Sequence, residues 1–85
     1  MREITVLEFK RRRLGLSQWD LARRSGIVQS RLSLIERVQV YPKEKEAVVI
    51  AKHLNVSLRS IFVPVEGQPG KYSPCHIKIQ EEGTD

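Results

Sequence analysis

The chain contains little of the chemistry that disulfides and metal sites need. Its single cysteine, Cys75, cannot form an internal disulfide, which favours a reducing compartment, and we expect a cytoplasmic protein. No Cys-x-x-Cys motif is present, and the two histidines, His53 and His76, belong to no ligand cluster with metal-site spacing. We therefore expect no metal and no cofactor.

Membrane segments and catalytic motifs are also missing from the sequence. No apolar run has the length that a bilayer span requires, and the first residues lack the apolar core of a signal peptide. There is no GxxxxGK[ST] phosphate loop and no Ser/His/Asp or Cys/His set on plausible elements. These absences argue against a membrane protein and against an enzyme.

What the chain does have is positive charge on one folded domain. Its 85 residues allow one domain, and 40% hydrophobic with 29% charged residues is ordinary for a globular protein. The net charge is +5, but residues 1–62 carry +7 and residues 63–85 carry −2. One explanation of this imbalance is that the chain binds a polyanion, because basic side chains displace counterions from phosphate. The other explanation is that the Lys and Arg side chains only solvate the helices.

Apolar periodicity and capping residues predict five short helices. Gly15 ends the first helix, and Ser17 begins the second with Asp20 three residues on, a weaker form of the capping box. Gly26 closes the second helix, and Asn55 can take the left-handed conformation after the fourth. The predicted helices cover residues 5–14, 17–25, 28–37, about 43–54 and 58–62, the last stopped by Pro64.

The C-terminal part has a different pattern. Residues 64–74 hold three prolines and two glycines, which predicts a linker or turn region. Ile77 and Ile79 then alternate with polar residues, as a strand does. Since one short strand is not stable alone, the segment 71–80 must pack on the helices, pair with a second copy or stay disordered. We expect residues 81–85 to be frayed.

The second and third helices, joined by a turn at Gly26, have the layout of a helix-turn-helix. Glycine lets the chain reverse there without a Cβ clash, and the small Ala22 lets the two helices approach. Apolar residues anchor the third helix from behind, so its front face is free to enter a DNA major groove. These anchors are Ile27, Leu32 and Ile35.

On these residues the chain resembles the phage-repressor-like, Cro/CI-type (XRE) helix-turn-helix domains. The resemblance covers about residues 5–63, most of the chain. It is carried by Lys10-Arg11, Leu14-Gly15-Leu16-Ser17-Gln18, Leu21-Ala22, Gly26-Ile27, Gln29-Ser30, Ile35-Glu36-Arg37, Ala51-Lys52-His53-Leu54-Asn55-Val56-Ser57-Leu58 and Ile61-Phe62.

The resemblance implies an all-α, five-helix, lambda-repressor-like fold over residues 1–63, and a role for each matching residue. Exposed positions of the third helix would read bases, with Gln29 the best candidate because glutamine can bond both N6 and N7 of adenine. The implied base contacts are Val28, Gln29, Ser30 and Leu34. The implied phosphate contacts are Gln18, which also braces the third helix, Arg31 (which could instead read guanine), Arg37 and Lys43.

Three further positions have structural alternatives. Arg11 and Glu36 match a pair that forms an internal salt bridge in relatives, where it would lock the third helix onto the first. Arg12 and Arg13 face either phosphate or water. Trp19 could flank phosphates, pack against a dimer mate or lean on its helix neighbours, and we expect the last.

Two departures from the family pattern stand out. Val38 replaces the usual glycine after the third helix, and because a β-branched residue resists the left-handed conformation, we expect the loop to run differently there. Leu34 replaces a polar base reader, so it can read a thymine methyl at most. Sequence preference would then depend on Gln29, Ser30 and DNA shape.

The sequence therefore predicts a regulator of transcription, and specifically a repressor, that binds an inverted repeat in double-stranded DNA as a homodimer. Residues 64–85 would be a C-terminal linker and a possible dimerisation strand. Two alternatives stay open. One is the antitoxin of a toxin–antitoxin pair, with a tail that binds a protein partner. The other is a protein-interaction module that has lost DNA reading.

Overall fold

A computed structural model describes residues 2–79, which form five short helices and four short strands. In chain order these are β1 (Arg2–Thr5), α1 (Val6–Arg13), α2 (Gln18–Ser25), α3 (Gln29–Glu36), α4 (Glu44–His53), α5 (Leu58–Ile61), β2 (Phe62–Pro64), β3 (Tyr72–Pro74) and β4 (His76–Ile79). None of these helices has the length and apolar character that crossing a membrane requires.

The first two helices begin and end within one residue of the predicted bounds. The Thr5 side chain accepts the Glu8 N–H at 3.1 Å and starts α1. Ser17 and Asp20 form the reciprocal capping box of α2, with bonds of 2.9 and 3.0 Å. Gly26 ends α2 in the left-handed conformation, at φ 79°. The turn between α2 and α3 is thus fixed by local sequence.

The end of α3 differs from its prediction. Val38 adopts the left-handed conformation, at φ 58°, although its β-branched side chain was expected to disfavour it. Its N–H bonds the Ile35 carbonyl at 3.0 Å, and the Gln39 N–H bonds the Leu34 carbonyl at 2.8 Å. This is the Schellman closure that a glycine usually makes. The expectation of a different loop is wrong because these bonds and the packing of α3 outweigh the local strain.

One hydrophobic core lies between the helices, and α4 is its centre. Ala47, Ile50, Ala51 and Leu54 are all buried on one face of that helix, and Asn55 follows at φ 63°, as predicted. The remaining core residues come from the other four helices, from the loops after α1 and α2, and from strands β2 and β3. They are Leu7, Leu16, Leu21, Ile27, Leu32, Ile35, Ile61, Phe62 and Tyr72.

The segment predicted as a linker or turn is largely a hairpin. Helix α5 ends at Ile61, so Phe62 belongs to β2 and not to the predicted helix 58–62. Strand β2 pairs antiparallel with β3 across the turn 65–71. Tyr72 lies in the core, and its N–H donates to the Pro42 carbonyl at 3.0 Å. Burial of this tyrosine explains why a Pro- and Gly-rich segment is ordered against the helices.

The strand predicted within 71–80 has a partner in its own chain. Strand β4 pairs antiparallel with β1, in a register that places Ile4 opposite Ile77 and Glu3 opposite Lys78. The N-terminal strand had no sequence prediction. Gln80 and the tail 81–85, including any partner-binding role for it, lie outside the described residues.

Candidate nucleic-acid interface

Helix α3 presents one face to the core and the opposite face outward. Its buried residues are Leu32, Ile35 and Glu36. Since successive helix residues are about 100° apart, the residues opposite them are Ser30 and Leu34, with Ser33 at the margin. Arg37 follows this outward face one turn later, fully at the surface. The outward face therefore carries two of the four predicted base readers and adds Ser33, which sequence reasoning missed although its helical spacing from Ser30 and Arg37 could have indicated it.

The other two predicted base readers lie at the start of α3. Val28 is the N-cap residue and is 65% exposed. Trp19 of α2, 62% exposed, lines the same shallow surface groove as Val28 and Gln29. Ala22 and Arg23, the neighbours of Trp19 one turn later in α2, line this groove as well, and the groove makes an apolar surface beside Gln29.

A chain of side-chain hydrogen bonds connects Gln29 to the interior. Gln29 Nε2 donates to Gln18 Oε1 at 2.8 Å, and Gln18 Nε2 donates to Glu36 Oε1 at 2.9 Å. Glu36 also accepts from Arg11, at 2.6 Å from Nε and 3.1 Å from Nη2. The structure thus brings four of the predicted site residues into one network that joins α1, α2 and α3.

Burial makes the Arg11–Glu36 pair structural. Arg11 is 7% exposed and Glu36 is 6% exposed. Arg11 Nη1 also donates to the Leu16 carbonyl at 2.7 Å. Among the side chains that the structure describes, those of residues 3–78, no buried nitrogen or oxygen lacks a hydrogen-bond partner. A fully bonded buried pair of this kind fixes the orientation of α3 relative to α1.

Arg31, a predicted phosphate contact, is paired with an acidic side chain of a neighbouring helix. Its guanidinium forms a two-pronged pair with Glu46 of α4, at 2.6 Å from Nε and 2.9 Å from Nη2. The hydrogen bond from Arg31 holds the pKa of Glu46 below its ordinary value of 4.5, against the effect of partial burial. The same bond raises the pKa of Arg31. Glu46 was missed by sequence reasoning, although a glutamate three residues after the start of α4 is a known capping signal.

The remaining predicted phosphate residues are at the surface in different settings. Arg12 pairs with Glu8 of its own helix at 2.6 Å, and the Arg13 guanidinium lies 5.6 Å from the centre of the Phe9 ring. Arg37 Nε lies 3.4 Å from the Ser33 carbonyl oxygen. Lys43 is the exposed N-cap residue of α4. Of these, Arg37 is the residue that continues the outward face of α3.

Comparison with known protein families finds a match that covers all five helices. Residues 7–61 match the profile of a family described as helix-turn-helix, from Leu7 in α1 to Ile61 at the end of α5. No curated protein matches the chain.

Proposed function

We propose that this chain, which belongs to the Cro/CI-type (XRE) helix-turn-helix family of DNA-binding transcription regulators, represses transcription by binding an inverted repeat as a homodimer. The observation that carries the proposal is the bracing of Gln29 by Gln18 at the start of the exposed recognition helix. A braced side chain needs little ordering when it meets a base, and this favours sequence-specific contact.

The bonds within the network leave the atoms that DNA contact needs. Gln29 uses one amide hydrogen on Gln18, and its second amide hydrogen and its carbonyl oxygen stay available. These are the donor and acceptor that bond N7 and N6 of adenine. Gln18 similarly uses one amide hydrogen on Glu36 and keeps the other, which suits a phosphate oxygen. We therefore assign Gln29 to an adenine and Gln18 to the neighbouring backbone.

Other surface residues would complete the contact. Ser30 and Leu34 face outward beside Gln29, and Val28 offers its methyl groups to a thymine. Arg37 and Lys43 are exposed cations that could reach phosphates on either side of the groove. Because one such face covers few base pairs, two copies on half-sites about 10 bp apart would give the required specificity.

The protein-interaction alternative loses one of its two supports. The departures from the family pattern at Val38 and Leu34 are what favour a loss of DNA reading, yet Val38 has the left-handed conformation that a glycine would have there. Leu34 is the support that remains, and it lies among residues that still present polar groups.

Selection of binding sites from a randomised duplex library tests the proposal. We expect an enriched inverted repeat, and Gln29→Ala should weaken binding to it by about 1–3 kcal/mol and relax preference at one adenine per half-site. Gln68→Ala, an exposed glutamine in the turn between β2 and β3, is the matched control and should bind as the wild type does.

The only tryptophan supplies a direct signal for the same complex. Trp19 lines the groove with Gln29, so its emission should change when duplex binds. A mass of two chains per repeat would support the homodimer, and one chain per repeat would contradict it. A library that enriches nothing would overturn sequence-specific binding and return attention to a protein partner.

A further inference from the structure

Two arginines lie in or next to the recognition helix, and they differ in their side-chain partners. Arg37 is exposed, and no carboxylate among the described side chains of residues 3–78 pairs with it. Arg31 is held by both oxygens of Glu46. Arg31 lies two residues after Gln29, and therefore about 200° around the helix from it, on the flank that meets α4.

Glu46 is itself fixed in place by the helix that carries it. Its Oε1 accepts the Lys43 N–H at 2.9 Å, in addition to Arg31 Nη2. The carboxylate is therefore held by the first turn of α4, and it offers a planar two-oxygen acceptor that matches the guanidinium fork. Arg31 is the long and flexible partner, so the position of its charge is set by Glu46.

Both members of the pair keep contact with water. The side chain of Arg31 is 34% exposed and that of Glu46 is 21% exposed. A DNA phosphate close to α3 would thus compete with Glu46 for the same guanidinium. The competition matters because a phosphate contact raises affinity for every sequence alike and carries no base information.

We propose that Glu46 is a specificity-determining residue that holds Arg31 along α4 and away from the DNA backbone. The inference rests on the proposed DNA-binding function. Its consequence is that Arg31 adds no counterion release in the wild-type complex, so non-specific binding stays weak relative to the contacts made by Gln29. Glu46 is a positioning residue in this scheme, since it acts through Arg31 and not on DNA.

Salt dependence of binding distinguishes this role from a structural one. Affinity for a random-sequence duplex of about 20 bp, long enough for two half-sites, is measured between about 50 and about 200 mM salt. The variants are Arg31→Ala, Glu46→Gln and the double variant. Glu44→Gln is the matched control, because it removes an exposed carboxylate from the same first turn of α4.

We expect Arg31→Ala alone to leave the salt slope unchanged. Glu46→Gln should steepen it by about 0.9, because one phosphate contact is gained. Across that salt range the affinity of Glu46→Gln should then fall about 3.5-fold further than that of the wild type. The double variant should return to the wild-type slope, and Glu44→Gln should steepen the slope by less than half as much as Glu46→Gln.

Two results would overturn the inference while the proposed function stands. One is a slope that becomes shallower by about 0.9 in Arg31→Ala, because Arg31 would then already contact phosphate in the wild type. The other is a Glu46→Gln slope equal to that of Glu44→Gln. If the wild-type chain binds neither the selected site nor random duplex, both conclusions fall together. Thermal unfolding of each variant verifies folding, and Arg31→Gln replaces Arg31→Ala if the alanine variant does not fold.

Discussion

The two ends of the recognition helix are each held by an arginine–glutamate pair, and the pairs differ in burial. At the C-terminal end, Glu36 bonds Arg11 of α1 with both residues under 10% exposed. At the N-terminal end, Arg31 bonds Glu46 of α4 with both side chains partly in water. The bond lengths are alike, at 2.6 Å for the shortest contact of each pair.

Distance therefore does not determine what each pair contributes. Breaking a buried pair leaves an unpaired charge without solvent, which is costly, whereas a partly exposed pair is replaced in large part by water. The C-terminal pair thus sets the position of α3 in the fold. The N-terminal pair adds little to the stability of the fold, so it can be removed by substitution while the chain stays folded, and the test of the Arg31 inference requires this.

The largest effect should come from breaking the buried pair. Glu36→Gln keeps the size of the side chain and an acceptor for Gln18, but leaves the Arg11 guanidinium buried without its counter-charge. We expect a loss of about 3–5 kcal/mol in the free energy of unfolding, measured by urea denaturation.

Glu46→Gln is the natural comparison for that measurement, because it makes the same change in the exposed pair. A cost for Glu36→Gln no greater than that of Glu46→Gln would contradict the difference in burial on which the comparison depends. A normal unfolding slope is needed in both variants, so that the two free energies refer to the same transition.

A gain in stability is expected at the strained end of α3. Val38→Gly removes the Cβ that opposes a φ of 58° while keeping the bonds to Ile35 and Leu34. Left-handed strain of about 1–2 kcal/mol is relieved, and the added freedom of glycine in the unfolded chain offsets part of it. The net stabilisation should be about 0.5–1 kcal/mol by thermal or urea unfolding.

Asn55→Gly tests whether the effect belongs to the β-branched side chain. Asn55 has nearly the same conformation, at φ 63°, after α4. Asparagine tolerates that region, so this variant should change stability by less than Val38→Gly does. If Val38→Gly destabilises the chain, packing of the valine side chain outweighs its backbone strain.

Local signals in the sequence predicted the elements that depend on neighbouring residues. The capping box at Ser17 and Asp20, the turn at Gly26 and the left-handed Asn55 each involve residues within a few positions of one another, and all are present. The outward and inward faces of α3 also follow from its own spacing.

Features that join distant parts of the chain were not predictable in this way. Strand β1 is four residues long and forms only by pairing with β4, more than 70 residues later in the chain. Burial of Tyr72 orders a segment whose composition indicates a linker. Arg31 and Glu46 are 15 residues apart and meet only once α3 and α4 are packed. Val38 shows the reverse case, since the surrounding packing imposes a conformation that its own side chain disfavours.

The smallest effect on the free energy of unfolding should come from breaking the exposed Arg31–Glu46 pair. Acid should remove the stabilisation that this pair provides. At neutral pH, Glu46→Gln should cost less than about 1 kcal/mol, because water screens both side chains. The bond from Arg31 lowers the pKa of Glu46 below 4.5 in the folded chain. The contribution is therefore complete above about pH 4.5, the ordinary value for the unfolded chain, and is lost as the pH falls through the lower folded value.

Urea unfolding of wild type and Glu46→Gln from about pH 7 to about pH 3 measures this loss. The two stability curves should run in parallel in the upper part of that range and converge in the lower part. Convergence places the stabilising charge on Glu46 itself, because glutamine cannot titrate. Curves that stay parallel down to the acid limit would mean that the pair adds no charge-dependent stability. Arg31 would then be held at α4 only by packing, and a phosphate could take it at almost no cost.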